Sequence, residues 1–298
     1  MFFKGKIIAP VFARVAYSVL KLAGWKRGTV LANAKLVAGA VPLGALNYDT
    51  LLKNLTRHAS ELLFRFGTFK KLPHDFTAYP CCVDGWTFDI AEGSAPVLEK
   101  MRKGGIFLTA HYGNYEAMGP WLCRLGIPLV ASYIPVKPKW LNNILERKIR
   151  AVDGWSYSVD ARTPRDFIRI LNDGKLFCLL ADQDSRIPSA LSGTFLGRSA
   201  NINPLPDFLL KHRPQTPVFI CWMEELYASP NASSKKVRVL HAIEVVGAQS
   251  KVATTAETSI VNAQYNKWLE ERIRENPNLW YGFTHRRFYS QSPKIYGG

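Results

Sequence analysis

Apolar residues along the chain fall first into two long stretches, Ile7 to Ala23 and Val30 to Leu46, broken by Arg14, Lys21 and Lys35. Neither supplies the about 18 uncharged apolar residues that a membrane-spanning helix needs. Tyr48 to Phe69 reads as a further helix, ended near Pro73. Beyond it, short apolar runs alternate with helical periods. Cys81–Val83 and Thr87–Ile90 predict two strands joined by an Asp84-Gly85 turn. Ser94 is the expected N-cap of a helix with the stripe Val97, Leu98 and Met101, stopped by Gly104-Gly105. Ile106 to Ala110 predicts a buried strand that runs directly into His111. Thr163 caps the clearest helix: Pro164 takes its first position, Phe167, Ile168 and Leu171 share a face, and Gly174 ends it. Leu176 to Leu180 is a fully apolar strand ending at Asp182-Gln183-Asp184. Pro217–Met223 and Val237–Val246 read as two more strands. Thr254 and Glu257 form a capping box for a helix reaching Glu275, where Asn276-Pro277 halts it.

Strands alternating with helices predict an α/β fold with a mostly parallel central sheet flanked by helices on both faces. Residues 1–48 are expected to form membrane-associating helices and residues 49–298 a single α/β domain. Basic residues within apolar helical stretches, beside Phe2, Phe3 and Trp25, suit helices lying in a bilayer interface. Ordinary core-packing helices carry the same pattern.

Charge adds a second constraint. Lys and Arg total 39 against 23 Asp and Glu, a formal net charge of +16. Partners for such a surface are nucleic-acid phosphates, anionic lipid headgroups or acidic proteins. The basic residues do not interleave with aromatics as a stacking platform would, and no nucleic-acid-binding motif is present. No nucleic-acid partner is therefore expected; a basic nucleic-acid-binding protein stays as the contrasting reading, which salt-dependent binding to DNA or RNA would favour. The 5 cysteines, an odd number without C-x-x-C spacing, make neither a disulfide framework nor a zinc site and fit a reducing, cytosol-facing environment. No pair of histidines has metal-ligand spacing, so no metal is expected.

The chemistry centres on His111 and Glu116. On a continuous helix their separation would turn the side chains roughly 140° apart. They can converge only if the backbone bends, as a strand ending at His111, a turn at Gly113 and a helix starting near Glu116 would allow. A carboxylate so placed would hold the imidazole by Nδ1–H and leave Nε2 free as a general base. That is the orienting pair of a Ser-His-Asp triad, with no protein nucleophile required. A second polar cluster, at Asp182, also follows an apolar strand, and ligands of open α/β sheets gather at the carboxyl ends of strands.

The run Leu108-Thr109-Ala110-His111-Tyr112-Gly113-Asn114-Tyr115-Glu116 resembles the H-x4-D/E signature of the glycerolipid acyltransferase superfamily. More closely, it resembles the form found in bacterial lipid A late (lauroyl and myristoyl) acyltransferases. The resemblance continues in order through Tyr133-Ile134-Pro135, Asn142 or Asn143, Arg147 to Arg150, Asp182-Gln183, Phe195-Leu196-Gly197 and His285-Arg286-Arg287-Phe288. It spans roughly residues 50 to 290. Ile134 stands where that family usually has arginine, and Ser185 to Thr194 lacks its glycine-rich lead into Phe-Phe-Gly.

The resemblance implies an O-acyltransferase that moves a fatty acyl group from an acyl-thioester carrier to a hydroxyl of a lipid A precursor. His111 and Glu116 would be its catalytic pair, Arg150 would stabilise the oxyanion, and Asp182 would fix that arginine or the acceptor. Gly113, Asn114, Asn142, Arg147, Gln183, His285, Arg286 and Arg287 are the implied substrate-binding residues. The implied partners are acyl carrier protein, an anionic lipid acceptor and a membrane surface, the implied location the cytoplasmic face of a bacterial inner membrane. No cofactor is implied; acyl carrier protein or coenzyme A carries the donor. A lysophospholipid, a glycolipid or an amino-acid lipid would be an alternative acceptor, because the His-Glu spacing serves the hydroxyl rather than the rest of the lipid.

Overall fold

The computed structural model describes residues 2–42, 44–132, 139–144, 146, 151–152, 155–156, 158–159, 163–227, 236–247, 255 and 257–297. In chain order it begins with helices α1 (Phe2–Leu22), α2 (Arg27–Leu36) and α3 (Tyr48–Arg65). Strands β1 (Cys81–Val83) and β2 (Trp86–Ile90), helix α4 (Ser94–Met101), strand β3 (Gly105–Thr109), helix α5 (Tyr115–Arg124) and strand β4 (Leu129–Ser132) follow. Next come α6 (Lys139–Ile144), the short strands β5 (Ala151–Val152), β6 (Trp155–Ser156) and β7 (Ser158–Val159), then α7 (Pro164–Asn172) and β8 (Leu176–Leu180). The hairpin β9 (Leu191–Phe195) and β10 (Arg198–Ile202), α8 (Leu205–His212), β11 (Val218–Tyr227), β12 (Lys236–Glu244) and α9 (Ile260–Glu275) lead to a C-terminal run of short 3-10 turns.

Eight strands form the main sheet, in the order β1-β2-β12-β11-β3-β8-β4-β7. Only the β1–β2 and β11–β12 pairs are antiparallel, so the sheet is mostly parallel, as expected. Every residue of β3 is buried. That is why Ile106 to Leu108 reads as a continuous apolar run: a strand covered on both faces has no polar side to alternate with. Alternation survives in where the side chains go. Ile106 and Leu108 pack with Leu171, Leu209 and Leu269 from α7, α8 and α9. Phe107 packs on the other face with Leu98, Met101, Trp121 and Leu122 from α4 and α5.

Two expected helix starts are corrected. The cap of α4 is Gly93, and the Ser94 hydroxyl instead accepts the Ala242 N–H at 3.0 Å, a partner supplied by the neighbouring strand. The last helix starts later than the Thr254–Glu257 box, with Ser259 as cap accepting the Asn262 N–H. Ser259 also donates to Asp207 of α8 at 2.7 Å, so a tertiary partner selects the later start.

The N-terminal helices are tied to the sheet domain. In α2, the Asn33 amide donates to the carbonyls of Phe283 and His285, both at 2.8 Å. In α1, Ala9 is buried and its carbonyl accepts from the Ser60 hydroxyl of α3. The opposite face of α1 is apolar and open: Val15 is 57% and Val19 59% exposed, with Ile8, Val11, Phe12 and Leu22 also exposed. Among the described residues, no helix is long and apolar enough to cross a membrane.

Candidate active site

Strands β3 and β8 lie side by side in parallel, with Thr109 opposite Leu180. The residues that follow, Ala110 and Ala181, are both buried, and the Ala181 N–H still reaches the Thr109 carbonyl at 3.3 Å. Two residues past each strand, His111 and Asp182 therefore become neighbours. The Nδ1–H of His111 donates to Asp182 Oδ1 at 2.8 Å, and the His111 backbone N–H donates to Oδ2 at 3.1 Å. Oδ2 also accepts the indole N–H of Trp280, at 2.8 Å. Asp182 is fully buried, while the His111 side chain is 20% exposed.

A carboxylate can only accept, so it sets the imidazole proton on Nδ1 and leaves the Nε2 lone pair available. Nε2 faces the Gln183 amide nitrogen at 3.5 Å. Burial opposes protonation of His111, but the Asp182 charge, its hydrogen bond and the Glu116 charge together raise the pKa above 6.5. Burial likewise opposes ionisation of Asp182; His111 and the hydrogen bonds from His111 and Trp280 outweigh it and hold the carboxyl below its ordinary range.

The corner after His111 is built as the spacing requires. Gly113 sits at φ 58°, a left-handed conformation that glycine adopts without steric cost. The C-terminal segment clamps this corner. Gly113 N–H donates to the Leu279 carbonyl and Tyr281 N–H to the His111 carbonyl, each at 2.8 Å, and Tyr112 bridges to Trp280. Helix α5 then begins, with Glu116 in its first turn and the Tyr115 ring 5.0 Å from the imidazole.

The expected partner of Nδ1 was Glu116; the carboxylate at hydrogen-bonding distance is that of Asp182. Strand register, invisible in the local spacing, accounts for the difference. Glu116 acts on the imidazole through its charge instead. Gln183 and His285 also join the cluster. His285 is exposed, its ring centroid is 5.9 Å from that of His111, and desolvation by its neighbours, followed by the His111 charge, lowers its pKa below 6.5. Arg286 is exposed. It shares the Tyr289 ring with Arg186, the two guanidiniums lying 5.5 and 4.6 Å from its centroid.

Other expected contacts are turned away. Arg287 is 1% exposed, donates to the Asn201 carbonyl at 2.8 Å and lies over the Phe195 ring, so it is a packing residue rather than a surface contact. Exposure changes in pairs here: His285 and Arg286 face solvent, and Arg287 and Phe288 turn inward. Asn114 is also buried, its amide donating to Glu61 at 3.3 Å, and Glu61 in turn pairs with Arg238 at 2.6 Å. Asn142 is buried in α6 and donates to Glu146 at 2.6 Å. Arg147, Arg150 and the segment Tyr133-Ile134-Pro135 lie outside the described residues. Phe195-Leu196-Gly197 is a hairpin corner: Leu196 and Gly197 have φ of 49° and 71°, as a two-residue turn of this type demands.

Trp280 was missed by sequence reasoning. Its only local signal is that a buried indole N–H usually needs an acceptor, which does not say which one.

A comparison with curated proteins found no match. The model of the family described as bacterial lipid A biosynthesis acyltransferase matches residues 96–290, a span that contains β3, β8, His111, Asp182 and the C-terminal clamp. An acyltransferase activity follows from that membership, and the chain belongs to the bacterial lipid A biosynthesis acyltransferase family.

Proposed function

We propose that the protein transfers a fatty acyl group from a thioester carrier to a hydroxyl of a lipid A precursor, with His111 as general base. The observation that carries this reading is the bond from His111 Nδ1–H to Asp182, which leaves the Nε2 lone pair available on a side chain that is 20% exposed. Nε2 takes the acceptor's hydroxyl proton as the oxygen attacks the thioester carbonyl carbon. The buried Asp182 and the nearby Glu116 stabilise the imidazolium that forms. Collapse of the tetrahedral oxyanion breaks the C–S bond, and the imidazolium returns its proton to the departing thiolate. No acyl-enzyme forms. Arg150 is the proposed oxyanion partner, by resemblance to the family.

Exposed Arg286, beside His285 whose ring lies 5.9 Å from that of His111, suits an anionic acceptor, and the net charge of +16 suits an acidic acyl carrier protein. The open apolar stripe of α1 is proposed to lie in the bilayer interface at the cytoplasmic face of a bacterial inner membrane. The donor carries the activated group, so no cofactor is invoked.

The test is an assay of the purified full chain with acyl-carrier-protein and coenzyme A donors of several lengths, against lipid A precursors and lysolipids. Transfer to the precursor is expected, and His111→Ala should lower it by at least about 10²-fold. The raised pKa fixes the sign of the pH dependence: the rate falls as pH drops through a value above 6.5, because the base becomes protonated. Near-normal turnover by a folded His111→Ala protein would discard the mechanism. Preference for a lysolipid would redirect the acceptor assignment.

A further inference from the structure

We propose that the indole N–H of Trp280 is a positioning group for the His111–Asp182 pair, holding the carboxylate ionised and rotated so that Oδ1 faces Nδ1. The proposal rests on the reading of His111 as the base. Oδ2 receives two donors, Trp280 Nε1–H at 2.8 Å and the His111 N–H at 3.1 Å. With both in place, Oδ1 is the oxygen left for Nδ1–H, which it meets at 2.8 Å. A charge-assisted bond to a buried carboxylate is among the stronger hydrogen bonds in a protein, so the indole contributes directly to keeping Asp182 charged.

The position of the indole is over-determined. It is fully buried, with Phe283 and Phe195 edge-on at 4.7 and 5.4 Å between ring centroids. Its backbone bridges to Tyr112, next to His111. Two residues on, Gly282 leaves the ring its space: a Cβ there would lie 2.1 Å from a ring carbon and 2.5 Å from Nε1. The backbone at Gly282 is outside the left-handed region, so room for the indole, not conformation, is what requires glycine. Packing alone would not demand that the N–H find an acceptor. The buried Nε1 atoms of Trp222 and Trp268 have no hydrogen-bond partner among the described residues.

The consequence is a signed shift. Removing the donor leaves the carboxylate less compensated, so His111 binds its proton more tightly and the acid limb of the rate profile moves to higher pH. We would replace Trp280 with its benzothienyl analogue, which keeps the ring shape and lacks the N–H, and compare Trp280→Phe and Gly282→Ala in the full chain. His111 is followed by ¹⁵N NMR titration, and kcat and KM are measured alongside. The expected result is an upward His111 midpoint in all three variants and a kcat lowered about 10-fold to 100-fold with KM unchanged. An unmoved His111 titration in the benzothienyl protein overturns the proposal, whatever happens to kcat. The titration needs no substrate, so it stands even if no donor and acceptor pair supports turnover, an outcome that would count against the catalytic reading alone.

Discussion

Asp182→Asn is the sharpest perturbation of this site, because it changes one atom and one charge. The carboxylate accepts three donors: His111 Nδ1–H on Oδ1, and the His111 N–H and Trp280 Nε1–H on Oδ2. Asparagine has one accepting oxygen and one NH2 group. With its oxygen in the place of Oδ2, two donors keep their acceptor and the NH2 faces Nδ1. The opposite orientation serves only Nδ1–H and sets the NH2 against two buried donors. The first is better by roughly one buried hydrogen bond, about 1–3 kcal/mol, or a factor of about 5–150. It forces His111 to accept at Nδ1 and carry its proton on Nε2, the tautomer that cannot act as base. Loss of the counter-charge to the imidazolium adds to this, and a combined drop of about 10³–10⁴-fold in kcat is expected, comparable with the same change in serine-protease triads. Glu116→Gln removes the charge that contributes least among those raising the His111 pKa and should cost about tenfold. In Asp182→Asn the residual acid limb should move down, since the charge that raises the His111 pKa is gone. Initial rates against pH, with ¹⁵N chemical shifts to read the tautomer, check both statements. An Asp182→Asn protein within about tenfold of wild type, or a larger loss from Glu116→Gln, would refute the assignment of Asp182 as the orienting group.

Further outcomes follow from exposure. Arg286→Ala should leave stability unchanged and raise KM for an anionic acceptor about tenfold, whereas Arg287→Ala should lower stability by about 2–4 kcal/mol in denaturant titrations through lost packing on Phe195 and the lost bond to Asn201. Reversal of the two effects would show that the outward and inward roles are misassigned. Val15→Asp combined with Val19→Asp should weaken sedimentation with anionic vesicles by at least about 10²-fold while thermal stability holds, because both side chains point to solvent. Unchanged vesicle binding would remove α1 as the membrane contact.

Much of the fold could be read from local pattern. The Thr163 cap, the Leu176–Leu180 strand and the Asp84-Gly85 hairpin all appear where their residues predict, because capping, burial and turn conformation are decided within a few residues. The two helix starts that differ are those where a distant partner intervenes: Ala242 takes the Ser94 hydroxyl, and Asp207 holds the Ser259 hydroxyl at the later start of α9.

The amino-acid order by itself singled out His111 as the candidate base, set the bend at Gly113 and predicted a mostly parallel sheet, since periodicity and left-handed turns are local properties. Tertiary structure alone chose Asp182 over Glu116 at Nδ1 and brought Trp280 to Oδ2. It also turned Arg287 and Asn114 inward. Which strand neighbours β3, and in what register, depends on packing that joins residues 71 positions apart in the chain. A carboxylate five positions away in the sequence has no advantage over one that adjacent parallel strands deliver side by side.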